Sequence, residues 1–416
     1  MNLKLRLILM NFLQYAIWGG WLISLGAYLG GKLDFTGVQI GSFFATMGIA
    51  SLFMPGLLGI IADRFIPAER LLGTCHLLGA MFLFLAAPQT EYGMLYTYIF
   101  LAVVFYMPTI ALSNAVAYNA LEKSGLDIVK TFPPIRVWGT VGFIVSMISV
   151  DLLRIDGLKF SQSAYQLYFA GALSLILGLY SFTLPKCATS PASESKSWID
   201  NFGLRAFALF KQRKMAVFFT FSMFLGVALQ ITNMFANDYL TNHFGAIPQY
   251  QDTFGVKYAN ILISISQMSE TLCILLIPFF LKRFGIKKVM LISMFAWILR
   301  FGLLGVGNPG GGVWMLVLSM LVYGVAFDFF NISGSLFVEQ ETSPKIRSSA
   351  QGVFMIMTNG FGAFFGSYAA GKVFDMVGWP NAWFVFTMYS AVVMVLFAIF
   401  FKYKHDPVKI ERHLAK

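Results

Sequence analysis

Charge is scarce in this 416-residue chain: Asp, Glu, Lys and Arg together make up 12%, about half of the roughly 25% carried by a soluble domain. A soluble body of this size could bury a large core, but it would need a polar coat that the sequence does not supply. Cysteine is scarce as well. Cys75, Cys187 and Cys273 are an odd, scattered set, which argues against a disulfide framework and against a paired-cysteine metal site. The four histidines, His76, His243, His405 and His413, stand far apart with no ligand spacing, so no metal is expected. The chain lacks a glycine-rich phosphate loop of the Walker kind, which argues against work driven by ATP. It also lacks any evident Ser/His/Asp arrangement, so it reads as no enzyme, and no cofactor is expected.

What the chain has is apolar bulk. Hydrophobic residues make up 58%, and Phe alone occurs 44 times. The solvent for most of this surface is therefore expected to be lipid. A bilayer core takes about 20 apolar residues per helix. Candidate spans run over 6–31, 38–62, 70–88, 93–120, 128–153 and 164–184, then over 214–240, 257–281, 288–307, 312–337, 348–372 and 382–402. The expected fold is an all-α integral membrane protein of twelve transmembrane helices in two six-helix pseudo-repeats. Residues 1–186 form the first bundle and 214–404 the second. Between them, 187–213 read as a cytoplasmic linker with an amphipathic helix over Trp198–Phe210, and 405–416 as a cytoplasmic tail. The basic start followed by an apolar run resembles a signal peptide. However, the run continues past Trp18, Trp21 and Tyr28 with no small-residue cleavage site, so it reads as a retained first span.

The net charge of +11 follows from topology. With both termini inside, the outer loops hold only Lys32, Arg154, Lys159, Lys257 and Lys372, and Arg136 and Arg300 fall within spans. The other twenty-three of the 30 Lys and Arg are cytoplasmic. Membrane proteins concentrate basic residues on that side, so no nucleic-acid partner is needed to explain the charge.

A repeat supports the two halves. Gly59-Ile60-Ile61-Ala62-Asp63-Arg64-Phe65 follows the second span, and Lys282-Arg283-Phe284-Gly285 sits at the matching place after the eighth. Parallel six-helix repeats are the plan of major facilitator transporters. The spacing Gly59-x-x-x-Asp63-Arg64 resembles that superfamily's loop between helices two and three. Asp63 and Arg64 are expected there as cytoplasmic gate residues, although topology alone also asks for a basic loop.

Four charged residues stand inside the expected spans: Arg136, Glu270, Arg300 and Asp328. A charge at a helix centre costs about 2.5–3.5 kcal/mol on insertion scales, so such residues face partners or water-filled cavities. Arg136, Thr140 and Phe143 are spaced i, i+4, i+7 and share one helix face. An arginine fork, a hydroxyl and a ring suit a polar, ring-bearing ligand; the alternative is an arginine that snorkels to the interface. Gln230 and Asn233 offer amide donors and acceptors, with interhelical glue as the alternative. Gln267 and Glu270 are i, i+3 on the next span. Tyr323, Phe327, Asp328 and Asn331 follow on the tenth. Two carboxylates among aromatics favour the protonated form unless a cation is near, which suits a proton carrier; the alternative is an ion pair with Arg300. Tyr15, Trp18 and Asn359 are weaker candidates.

Longer strings point to a family. Phe132-Pro133-Pro134-Ile135-Arg136-Val137-Trp138-Gly139-Thr140, Gln230-Ile231-Thr232-Asn233, Ile265-Ser266-Gln267-Met268-Ser269-Glu270, Trp297-Ile298-Leu299-Arg300 and Phe327-Asp328-Phe329-Phe330-Asn331 resemble the bacterial nucleoside permeases. These are the nucleoside:proton symporters of the major facilitator superfamily. The resemblance implies proton-driven import of purine and pyrimidine ribo- and deoxyribonucleosides, uridine- or adenosine-like, across the inner membrane by alternating access. It implies a substrate site of Arg136, Thr140, Phe143, Gln230, Asn233, Gln267 and Glu270, bordered by Tyr323, Phe327 and Asp328. Asp328 or Glu270 would carry the proton, with Arg300 beside them. A monomer among membrane lipids is expected. The rival readings are a sugar:proton symporter on the same fold and a membrane sensor or scaffold that binds without flux.

Overall fold

The structure is a computed structural model. It describes residues 2–187, 204–343 and 346–404. Among these the chain is almost wholly helical, with one two-residue hairpin. Two compact units are present, Met1–Phe202 with Asn233–Asp238, and Gly203–Thr232 with Tyr239–Lys416.

The first unit opens with α1 (Leu3–Gly19), a turn over 20–24, and α2 (Leu25–Gly31). The expected single span 6–31 is thus broken just after the Gly19-Gly20 pair, where no side chain holds the helix. Next come α3 (Gly37–Arg64), α4 (Ala68–Ala86), α5 (Tyr92–Lys123) and α6 (Ile128–Leu152). Local chemistry starts two of them. Thr36 and Gln39 form a reciprocal capping box on α3, and the Glu91 carboxylate accepts from Gly93 N and Met94 N, both at 3.0 Å, at the head of α5. Each satisfies amides that a helix start leaves without partners. Pro133 and Pro134 lie within the first two turns of α6.

A hairpin, β1 (Arg154–Ile155) with β2 (Leu158–Lys159), joins α6 to α7 (Tyr165–Ser181). Its turn is Asp156-Gly157, both at positive φ, the residue pair that a two-residue hairpin turn favours. From sequence this segment is expected only as an outer loop.

Further along the chain, α8 (Arg213–Asp238) runs into a π turn over Tyr239–His243. A short α9 (Phe254–Lys257) precedes α10 (Ala259–Val306), 48 residues long. Gly285 within it has φ 77 and ψ 166, so two expected spans meet there with no loop. The region is readable as one hydrogen-bonded ladder interrupted at a glycine in a conformation other residues avoid. Then come α11 (Val313–Glu341), α12 (Arg347–Met355), a π segment Ile356–Gly362, α13 (Ala363–Val377) and α14 (Asn381–Phe400). Before α8, Leu204–Lys211 is a 3-10 helix. The earlier part of the expected linker helix, and the tail from 405, lie outside the described residues.

Nine helices among the described residues are long and apolar enough to cross a membrane. The count is below the expected twelve for three local reasons. The first span is broken, α7 has 17 residues, and α10 contains two spans. The outer faces are apolar: Leu275, Met376 and Met388 are 75%, 72% and 69% exposed. Large exposed apolar surfaces of this kind are rare on monomeric soluble proteins and suit acyl chains.

Candidate functional site

In the first unit the site residues ride on α6, and glycines decide how near α6 lies to α1. A Cβ added to Gly142 would sit 2.1 Å from the Phe12 carbonyl oxygen, and one on Gly19 would sit 2.3 Å from that of Phe143. The two backbones are therefore in direct contact, the close approach that small residues permit in membrane bundles. One consequence is a contact the sequence alone did not single out: the Arg136 guanidinium carbon lies 3.9 Å from the centre of the Tyr15 ring. Gly139 makes room for it, since a Cβ there would meet both Arg136 Nη1 and the Tyr15 ring at 2.6 Å. Arg136, Thr140 and Phe143 are all half-buried, so the expected common face is present. Among the described residues no carboxylate forms an ion pair with Arg136. Stacking uses the flat face of a guanidinium and leaves its in-plane donors free. Tyr15, ranked among the weaker candidates because membrane aromatics are so often packing residues, belongs to this cluster.

In the second unit, α10 and α11 also touch through backbone. A Cβ on Gly324 would fall 2.6 Å from Ser269 O, and Ser269 Oγ donates to Leu321 O. That register gathers Gln267 and Glu270 of α10 with Tyr323, Phe327 and Asp328 of α11. The Tyr323 and Phe327 rings stack at 5.8 Å with 6° between planes. Gln267, Glu270, Arg300 and Asp328 all lie within electrostatic range of the Tyr323 hydroxyl. Asp328 is 5% exposed. Its Oδ2 has no hydrogen-bond partner among the described residues, and Glu270 is its electrostatic neighbour.

Arg300 packs against the same cluster. Its guanidinium carbon lies 4.5 Å from the Tyr323 ring centre, and Nη1 donates to Ser319 O at 2.8 Å. Among the described residues it forms no ion pair with Asp328 or Glu270. Its cation is met by a ring face and a carbonyl oxygen.

On α8, Gln230 is buried and its Oε1 lacks a partner among the described residues. Asn233, three residues on, is half-buried. A cavity beside Phe327 is lined by Leu229, Trp297, Phe330, Asn331 and Asn359. The amide of Asn331 thus adjoins the cluster, as does Asn359, one of the weaker candidates from sequence. Asp63 and Arg64 close α3, and their side chains, the expected gate pair, lie outside those described.

Comparison with known proteins gives the family. Residues 1–406 match the family described as nucleoside H+ symporter. The chain belongs to the nucleoside H+ symporter family. It is 50% identical over 412 residues to nucleoside permease NupG of Escherichia coli, covering 97% of each chain. It is also 50% identical over 418 residues to xanthosine permease of the same organism, covering 99% of each. A crystal structure of NupG superposes with a TM-score of 0.89 at 50% identity, covering 97% of this chain and 100% of that one. A peptide transporter structure at 13% identity and TM-score 0.72, covering 96% of this chain and 93% of that one, shares the fold. This symporter-family chain is accordingly a multi-pass transporter of the bacterial inner membrane.

Proposed function

We propose that this symporter imports purine and pyrimidine ribo- and deoxyribonucleosides together with protons, by alternating access, and that it is not an enzyme. The observation that carries the reading is Asp328. It is a carboxylate on a membrane helix, 5% exposed, with one oxygen lacking a hydrogen-bond partner among the described residues and a second carboxylate, Glu270, in electrostatic range. An uncompensated charge at that depth is costly; a proton removes it. Asp328 and Glu270 therefore share the coupling role. Arg300 packs on Tyr323, which links its charge to the same cluster.

Arg136, Thr140, Phe143, Gln230, Asn233, Gln267 and Glu270 bind the nucleoside in this reading, bordered by Tyr323 and Phe327. The free in-plane donors of Arg136 and the amides suit ribose hydroxyls and base edges, and the phenyl rings suit a base face. One charge moving down about 100 mV supplies about 2.3 kcal/mol, enough for roughly 50-fold accumulation.

The same proposal includes twelve spans. They form bundles over 1–186 and 214–404, joined by a cytoplasmic linker over 187–213, with both termini inside. The predominance of Lys and Arg on that side supports this. The carrier acts as a monomer, and Asp63 and Arg64 serve as its cytoplasmic gate.

The test is uptake into proteoliposomes with an imposed pH gradient, using a panel that includes uridine, adenosine, their deoxy forms, xanthosine and sucrose. Gradient-dependent accumulation of several nucleosides, unaffected by sucrose, is the expected result. Uptake of sugars alone, or binding without flux, would overturn it.

A further inference from the structure

Inside the first unit lies a polar network far more buried than the faces of Arg136, Thr140 and Phe143. Gln14, His76 and Thr109 are 0%, 1% and 0% exposed, on α1, α4 and α5. Gln14 Nε2 donates to Thr109 Oγ1 at 2.8 Å, and Thr109 Oγ1 donates to Tyr106 O. The Gln14 amide oxygen is thereby left to accept, and His76 Nε2 lies 2.8 Å from it. His76 Nδ1 meets Ser174 Oγ of α7 at 3.2 Å. The Tyr106 hydroxyl donates to the Gln14 backbone oxygen at 2.6 Å. One residue of α1 is thus held by side chain and backbone to two neighbouring helices, one of which ties on to α7.

The neighbour of Gln14 in sequence is Tyr15, the ring on which Arg136 stacks. Successive residues on a helix point about 100° apart, so anchoring Gln14 toward α4 and α5 fixes where Tyr15 points. Phe12, two residues earlier, is in backbone contact with Gly142 on α6. The rotation of α1 is therefore set on one side by hydrogen bonds and on the other by a glycine contact. In lipid, a buried amide that loses its partners finds no water to replace them, so this anchor resists rotation strongly.

We propose that Tyr15 is a positioning residue that holds the Arg136 guanidinium in its nucleoside-binding pose, and that the Gln14–His76–Thr109 network holds Tyr15 in place. The inference rests on the nucleoside-transport reading above and adds residues to it. Tyr15 acts through Arg136, and the network acts through Tyr15.

The test is a double-mutant cycle on the full-length protein in proteoliposomes, read as KM and maximal rate of uridine uptake. Tyr15→Leu removes the stacking ring and is expected to raise KM about five- to tenfold, the size of a partly desolvated cation–π contact, with the maximal rate little changed. Tyr15→Phe, which keeps the ring, should restore the wild-type KM. Gln14→Met, close in volume but unable to bond His76 or Thr109, should raise KM by a similar factor and add little in the Tyr15→Leu background. A network that only stabilises the bundle would lower the melting temperature and the amount of active carrier, leaving KM alone. If Gln14→Met does not fold, Tyr106→Phe, which removes just the hydroxyl on the Gln14 carbonyl, takes its place. An unchanged KM in Tyr15→Leu, or multiplying effects in the double mutant, would overturn the inference alone. Wild-type protein that takes up no nucleoside would end both readings.

Discussion

At the scale of single residues, two side chains carry opposite expectations. Asp328→Asn keeps the shape of the side chain and removes the exchangeable proton. Proton-driven accumulation should then fall to equilibrium, a ratio of about one, while nucleoside exchange across the membrane persists; counterflow assays separate the two. Full uphill uptake by this variant, with Glu270→Gln equally active, would remove both carboxylates from the coupling role. Arg136→Ala removes charge-assisted donors, which contribute about 1.5–3 kcal/mol each, so affinity for uridine should drop roughly ten- to hundredfold in a binding titration. Unchanged affinity would return Arg136 to a lipid-interface role. Both positions were legible from sequence because a charge inside an apolar run is expensive and stands out. The Tyr15 stack was not, because an aromatic residue in a membrane helix looks the same whether it packs on lipid or on a cation.

At the scale of elements, backbone contact matters more than side-chain composition. Gly142→Val would push a side chain into the Phe12 carbonyl, where a Cβ already falls at 2.1 Å. Overpacking of this kind costs about 1–3 kcal/mol and would separate α1 from α6. The expected result is a lower melting temperature and weaker uridine binding together, measured on purified protein. The head of α5 offers a pH test. The Gly93 and Met94 amides hold the Glu91 carboxyl below the usual carboxylate range. A group whose folded value is depressed contributes stability that is present above its unfolded value and lost as pH falls through the folded one. Amide exchange at Gly93 and Met94 should therefore be constant at neutral pH and accelerate, relative to the intrinsic rate, only once the pH drops below the usual carboxylate range. Capping motifs such as Thr36/Gln39 are readable in sequence. The π segments are not, because they carry no composition that sets them apart from an ordinary apolar helix.

For the whole molecule, orientation is the property most open to a direct check. Lys159 lies in the hairpin after α6 and Lys287 just beyond Gly285. With both termini inside, a membrane-impermeant maleimide added to intact cells should label Lys159→Cys and spare Lys287→Cys. The reverse pattern would invert the topology. The basic-residue asymmetry that supports this orientation is a sum over many weak preferences, which is why it is robust to the misplaced edges of individual spans. The same span-by-span reading merged α1 with α2, since hydropathy reports solvent and not hydrogen bonding.

The sequence by itself determined that this protein lives in lipid, that its chain is helical, and that a few charged residues lie within its spans. Each of these follows from the cost of exposing charge or backbone to hydrocarbon, a cost that can be read one residue at a time. Only the tertiary structure decided which residues meet. Gly139 admits the Arg136–Tyr15 stack, Gly324 brings Glu270 alongside Asp328, and Arg300 turns to Tyr323 and Ser319 instead of a carboxylate. Those outcomes depend on contacts between distant parts of the chain, set by close packing at a handful of glycines, and close packing is a property of surfaces in three dimensions that no periodicity along the chain records.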